Sequence, residues 1–127
     1  MRNIHRILAM ILSTFIFSQT FSQSHAIRFN RLAINDGLSQ STINCILQDE
    51  DGYIWVGTQD GLNKFDGYNV VQYKTKRKNK KSLASSFVTS LYEDKKGGLW
   101  IGSQTGGLNY KEKNSNDFKH IPLKGVL

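Results

Sequence analysis

Several residues of this 127-residue chain have types and spacing that chemistry uses. Trp55 and Trp100 each stand two residues before a glycine, and an indole beside a small residue can be a platform on which a sugar ring stacks. Asp49-Glu50-Asp51-Gly52 groups three carboxylates, the hard oxygen ligands that calcium takes in numbers. The run Lys74 to Lys81 (KTKRKNKK) holds six of the 17 basic residues. Such a run attracts anionic lipid head groups or an acidic saccharide over a range that salt screens. His5, His25, His120 and Cys45 complete the inventory of bases and strong nucleophiles.

Each pattern also has a plainer account. The acidic group lacks the ligand spacing of a calcium-binding EF-hand loop, and its counterpart further along is Asp94-Lys95-Lys96-Gly97. Only the aspartate and the glycine recur, which a turn explains, so no metal site is expected. His5 and His25 fall in the N-terminal segment, leaving His120 alone, and there is no Gly-x-Ser-x-Gly elbow. No catalytic residue is expected. The glycine-rich stretches GTQDG and GSQTGG sit between strand-like runs, with no following helix whose N-terminus would hold phosphate, so no cofactor is expected either. Cys45 lies in an apolar run and reads as a small buried hydrophobe. The basic run reads as a solvated connection.

The first 26 residues stand apart. Arg2, His5 and Arg6 precede an apolar run from Ile7 to Phe17, followed by the small and polar stretch SQTFSQSHA. That order is the one found in a secretory signal peptide, with Ser24 and Ala26 meeting the small-x-small rule for cleavage. The apolar run is shorter than the about 20 residues a spanning helix needs. Without residues 1 to 26 the chain keeps 15 basic against 10 acidic residues, a charge of +5, and export makes nucleic acid an unexpected partner.

What positions the two tryptophans is a repeat. Offset by 45 residues, Leu38 falls on Leu83, Ser41 on Ser86, Asp49 on Asp94, Gly52 on Gly97, Trp55 on Trp100 and Gly57 on Gly102. One inserted glycine then shifts Leu62-Asn63 onto Leu108-Asn109. Each unit predicts four short strands, in the first Ile43 to Leu47, Ile54 to Thr58, Leu62 to Phe65 and Val70 to Tyr73, separated by Asp-Gly turns in which both central residues can take positive φ. Four antiparallel strands every ~45 residues are the signature of a β-propeller blade. The second unit has Gly106-Gly107 where the first has Gly61, and Tyr110-Lys111 where the first has Lys64-Phe65, so its third strand is expected to bulge.

The outer-strand pattern occurs three times, at Phe29 to Leu32, Val70 to Tyr73 and Phe118 to Ile121. The reading is therefore an all-β partial propeller: signal peptide 1–26, a leading outer strand within 27–37, a first blade 38–82 and a second blade 83–127. Two blades cannot close a ring, so this is expected to be the N-terminal piece of a longer protein, and residues 27 to 127 alone are expected to aggregate through open strand edges.

INCILQDEDGYIWVGTQDGLNKFD and VTSLYEDKKGGLWIGSQTGGLNY, with the lead-in RFNRLAINDGLSQSTI, resemble the two-component regulator propeller repeat. The resemblance covers essentially all of the chain after the N-terminal segment. It implies the periplasmic sensor half of a hybrid histidine kinase of the Bacteroidetes type, anchored in the inner membrane, dimeric when full length, and responding to an oligosaccharide. The remaining blades, the membrane span and the kinase would lie beyond residue 127. No ligand-binding residue is assigned; the non-repeating loops 35–41 and 74–86 are the first places to look. The competing readings are a secreted carbohydrate-binding or carbohydrate-active propeller without a kinase, and a propeller used only for protein contacts.

Overall fold

The computed structural model describes residues 1, 3–5 and 30–122. The segment expected as a signal peptide, and Phe29 of the leading strand, lie largely outside them. The chain divides into two units, Met1–Asn30 and Arg31–Leu127; residues 3–5 of the first form a single helical turn.

The second unit is two four-stranded antiparallel sheets. The first takes β1 (Ile43–Gln48), β2 (Ile54–Thr58), β3 (Gly61–Phe65) and β4 (Val70–Tyr73) in sequence order; the second takes β5 (Val88–Glu93), β6 (Leu99–Ser103), β7 (Gly107–Lys111) and β8 (Phe118–Ile121) in the same order. Every strand expected in the first unit is present within a residue of its bounds. These sheets are blades, each an up-and-down meander.

Register decides which side chains meet, because strand residues alternate between faces. Trp55 pairs with Leu47 and Lys64, and Gly57 with Cys45 and Leu62, so these share one face of the first blade. In the second blade Leu99 pairs with Glu93 and Lys111, and Lys111 with Phe118. These two faces pack on each other. Trp55, Leu62, Leu83, Val88, Leu99, Ile101 and Phe118 form one buried cluster, with Cys45, Leu47, Tyr73 and Leu91 against it. Burying side chains of this size is worth roughly 1.5–3 kcal/mol each, so the seam between blades, rather than either sheet alone, is the hydrophobic core. Tyr73 bridges Trp55 and Phe118, with ring centroids 5.9 and 5.4 Å away.

Two expectations need correction. The bulge is not in the third strand of the second blade: β6 and β7 pair without interruption from Leu99↔Lys111 to Ser103↔Gly107. The extra glycine lengthens the preceding turn instead, because Thr58 pairs with Gly61 but Ser103 with Gly107, and a turn absorbs a residue without breaking a ladder. The register shifts fall in the first strand of each blade, between Ile43 and Cys45 and between Val88 and Ser90. The turns also do not use paired positive φ: among the described residues only glycines take it, Gly52 at 88° and Gly97 at 74° among them. Each closes a turn whose aspartate N–H pairs four residues on, Asp49 to the Tyr53 carbonyl and Asp94 to that of Gly98, the longer loop built on an ordinary turn with glycine last. Phe29 of the expected leading strand lies outside the described residues, and Asn30, Arg31 and Leu32 lead into a 3-10 turn at Ile34–Asp36.

Candidate functional site

The candidates are best judged by what already occupies their polar atoms. Asp49 Oδ1 accepts the Tyr53 N–H at 2.8 Å and Oδ2 accepts the Trp55 indole N–H at 2.7 Å. Asp94 repeats this with Gly98 at 3.0 Å and Trp100 at 3.1 Å. The carboxylate is spent on closing the turn and aiming the indole. Asp51 pairs with Lys113 at 2.9 Å, and the Glu93 carboxylate accepts the Glu50 N–H at 3.0 Å across the seam. The acidic cluster therefore ties blade to blade. The indole link was missed in the sequence, although its signal, an aspartate six residues before each tryptophan, is legible there.

Trp55 is 3% exposed, inside the seam, whereas Trp100 occupies the same place on the outward face of the second blade and is half-buried against Tyr110, 4.7 Å between ring centroids. Two lysines approach the Trp55 ring, Lys64 and Lys111, each ammonium 5.4 Å from its centroid; Lys64 also lies 3.5 Å over Tyr53. Such cation–π contacts share the charge with the ring face. Lys111 is buried where the first blade has Phe65. Burial, then the nearby Lys64 charge, pulls its pKa below the usual lysine range. Its Nζ donates to the Glu112 carbonyl at 3.3 Å.

A second repeated element holds the connections. Asn63, fully buried on β3, accepts the Ser39 N–H at 2.9 Å through Oδ1 and donates to the Val56 carbonyl at 3.1 Å. Asn109, equally buried on β7, accepts the Ala84 N–H at 3.0 Å. Each asparagine pins the segment that leads into its own blade. Loops 35–41 and 74–86 both contain such a pinned residue. The first also lines a shallow hollow from Arg31 to Ile43.

The basic connection is held along its length. Thr75 N–H donates to Ser86 Oγ at 3.0 Å, Lys76 N–H to Ser82 Oγ at 2.9 Å, and Phe118 N–H to the Lys81 carbonyl at 2.8 Å. His120 Nε2 lies 2.8 Å from the Ser82 carbonyl, which is a structural contact and not part of a triad. Lys74 pairs with Asp60 at 2.6 Å and Lys81 with Asp117 at 2.8 Å. Burial pushes the Cys45 thiol up, away from the reactive thiolate. Among the described residues no group of three or more candidate ligands gathers around a metal position.

Two four-stranded meanders packed face to face, with a repeated Asp–Trp turn and a repeated asparagine pin, define a segment of a β-propeller. Its units at residues 37–60 and 82–105 match the model of the two component regulator propeller. Each of the two units is thus similar to one repeat of that propeller. The chain is 39% identical over 84 residues, 66% of this chain, to Histidine kinase P4 of Formosa agariphila, and those residues make up 6% of that protein. In structure it is similar to the extracellular domain assigned to a hybrid two component system, BT3049, from B. thetaiotaomicron. The TM-score is 0.65 at 31% identity, over 72% of this chain and 13% of that one.

Proposed function

We propose that the chain is a periplasmic, ligand-sensing propeller segment of a hybrid two-component histidine kinase, and that the ligand is an oligosaccharide. The observation that carries the reading is the pair of in-register repeats, matched to a two-component propeller and similar to an extracellular sensor domain. The outward faces support a longer stack. Ile46 is 63% exposed although its counterpart Leu91 is packed in the seam, and Trp100 is only half-buried where Trp55 is buried. Further blades on both sides would give these residues the same cover. The sensor reading needs only that ligand bind two arrangements of a dimer unequally, since equal affinity shifts no population.

Two measurements test it. The full reading frame is expected to hold more ~45-residue repeats, an apolar span of about 20 residues and a kinase core; a stop after a closed propeller sinks the reading in favour of a secreted carbohydrate-binding protein. A thermal-shift screen of the full propeller against oligosaccharides is expected to find one that stabilises it, by about 2.7 kcal/mol at a hundred times its Kd. A propeller that shifts with no sugar is not a glycan sensor.

A further inference from the structure

Four cations of the basic connection, Lys76, Arg77, Lys78 and Lys80, have no carboxylate partner among the described residues, whereas Lys74 and Lys81 at its ends do. The ends are fastened and the middle is presented. The backbone between them is fixed by the Asn79 N–H to the Lys76 carbonyl at 2.9 Å, the Ser82 N–H to the Asn79 carbonyl at 3.1 Å, and the Lys81 N–H to Asn79 Oδ1 at 2.9 Å. Beneath it lies a hollow of about 190 Å³ whose lining includes Thr75, Lys76, Arg77, Lys80, Leu83 and His120, and no carboxylate. The hollow on the other side of the connection differs: it contains Asp117 and the two paired lysines.

A hollow with three cations on a fixed stretch of backbone and no opposing acid favours an anion, because the charges are presented together with nothing to neutralise them. We propose that this hollow is an anion subsite that seats the carboxylate or sulfate of an acidic saccharide, uronic or sulfated. The proposal rests on the oligosaccharide-sensing reading and sharpens it to a charged chain. A saccharide fits better than a membrane surface. Stable anchoring at a membrane surface adds apolar side chains to a basic patch, and the exposed large apolar residues, Ile34, Ile43, Ile46, Tyr68, Val71 and Tyr92 in this unit, all lie outside the connection.

The test compares neighbours of equal charge. Arg77 lines the hollow and Lys78 does not. Binding of the full propeller to a chondroitin sulfate hexasaccharide, a galacturonic acid hexamer and neutral cellohexaose is measured by titration calorimetry at low and moderate salt. One or both acidic probes are expected to bind and cellohexaose to bind more weakly. Arg77→Gln is expected to weaken the acidic probe about tenfold, and Lys78→Gln no more than about twofold. Equal losses for the two variants overturn the subsite in favour of a diffuse field. Cellohexaose binding as tight as that of the acidic probes, and unmoved by Arg77→Gln, overturns the subsite but leaves glycan sensing standing. Binding of none of the three overturns both. Tighter binding to phosphatidylglycerol vesicles than to either acidic probe overturns the saccharide in favour of lipid.

Discussion

Asp49 accepts the indole N–H of Trp55 at 2.7 Å while its other oxygen accepts the Tyr53 N–H at 2.8 Å, so one carboxylate sets both the turn between β1 and β2 and the orientation of the largest residue in the seam. Asp49→Ala is expected to destabilise the chain by about 2–3 kcal/mol, the loss expected when a charged acceptor leaves two donors. Trp55→Phe, which removes the donor together with part of the buried ring, is expected to cost a similar amount. A double-mutant cycle in urea is expected to show the two losses as less than additive; full additivity would mean the hydrogen bond contributes nothing.

Acidification tests the same device in the second blade. The Lys96 and Gly98 N–H groups, with help from the Trp100 indole, hold the Asp94 carboxyl below its ordinary value of 3.8. A depressed carboxyl contributes stability that is present above pH 3.8 and is lost as pH falls through the lower, folded value. Unfolding free energy is therefore expected to drop on going from pH 4 downward, and Asp94→Asn is expected to flatten that drop. An unchanged slope in the variant would assign the acid sensitivity elsewhere.

Asn63 tests the asparagine pin. Asn63→Leu leaves the Ser39 N–H without its acceptor, at about 1–3 kcal/mol for a buried unsatisfied group. Hydrogen exchange is expected to speed up at the Ser39 amide and to stay unchanged at Ala84, which is held by Asn109. Equal acceleration at both would indicate global loosening.

Gly57 sits against Val88 of the second blade and Cys45 of its own. A Cβ there would lie 2.4 Å from Cys45 Sγ and 2.7 Å from Val88 Cγ1. Gly57→Ala is expected to cost about 1–3 kcal/mol through overpacking, and Cys45→Ala in that background to recover part of it. No recovery would place the strain on Val88 alone.

Lys111 is a buried ammonium beside the Trp55 ring, with Lys64 and Asp49 nearby. Because its pKa is lowered, the folded state gives up its proton more readily than the unfolded chain, so stability is expected to rise with pH from the folded value toward 10.5. Lys111→Met is expected to be neutral or stabilising by about 1 kcal/mol near pH 7 and to remove that rise, as measured by unfolding at pH 7 and pH 10.

The local pattern of this chain was open to reading because it depends on short-range physics. Short apolar strand-like runs and glycine-closed turns repeat at 45 residues, and that alone places the strands in two meanders. Turn chemistry was read less well. The extra glycine was expected to bulge β7, but the turn at 104–106 absorbs it, since a loop has slack and a ladder does not. Neither the full burial of Trp55 against the half-burial of Trp100, nor Lys111 beneath Trp55, nor Lys81 reaching Asp117 across 36 residues follows from spacing. Two copies of one repeat have identical local preferences, and only packing one blade on the other makes one face of each a core and leaves its counterpart open. The strands and turns thus came from residue types and periodicity. The seam, its buried lysine and the acid-free hollow came from tertiary contact, which alone sets dielectric and charge neighbourhood.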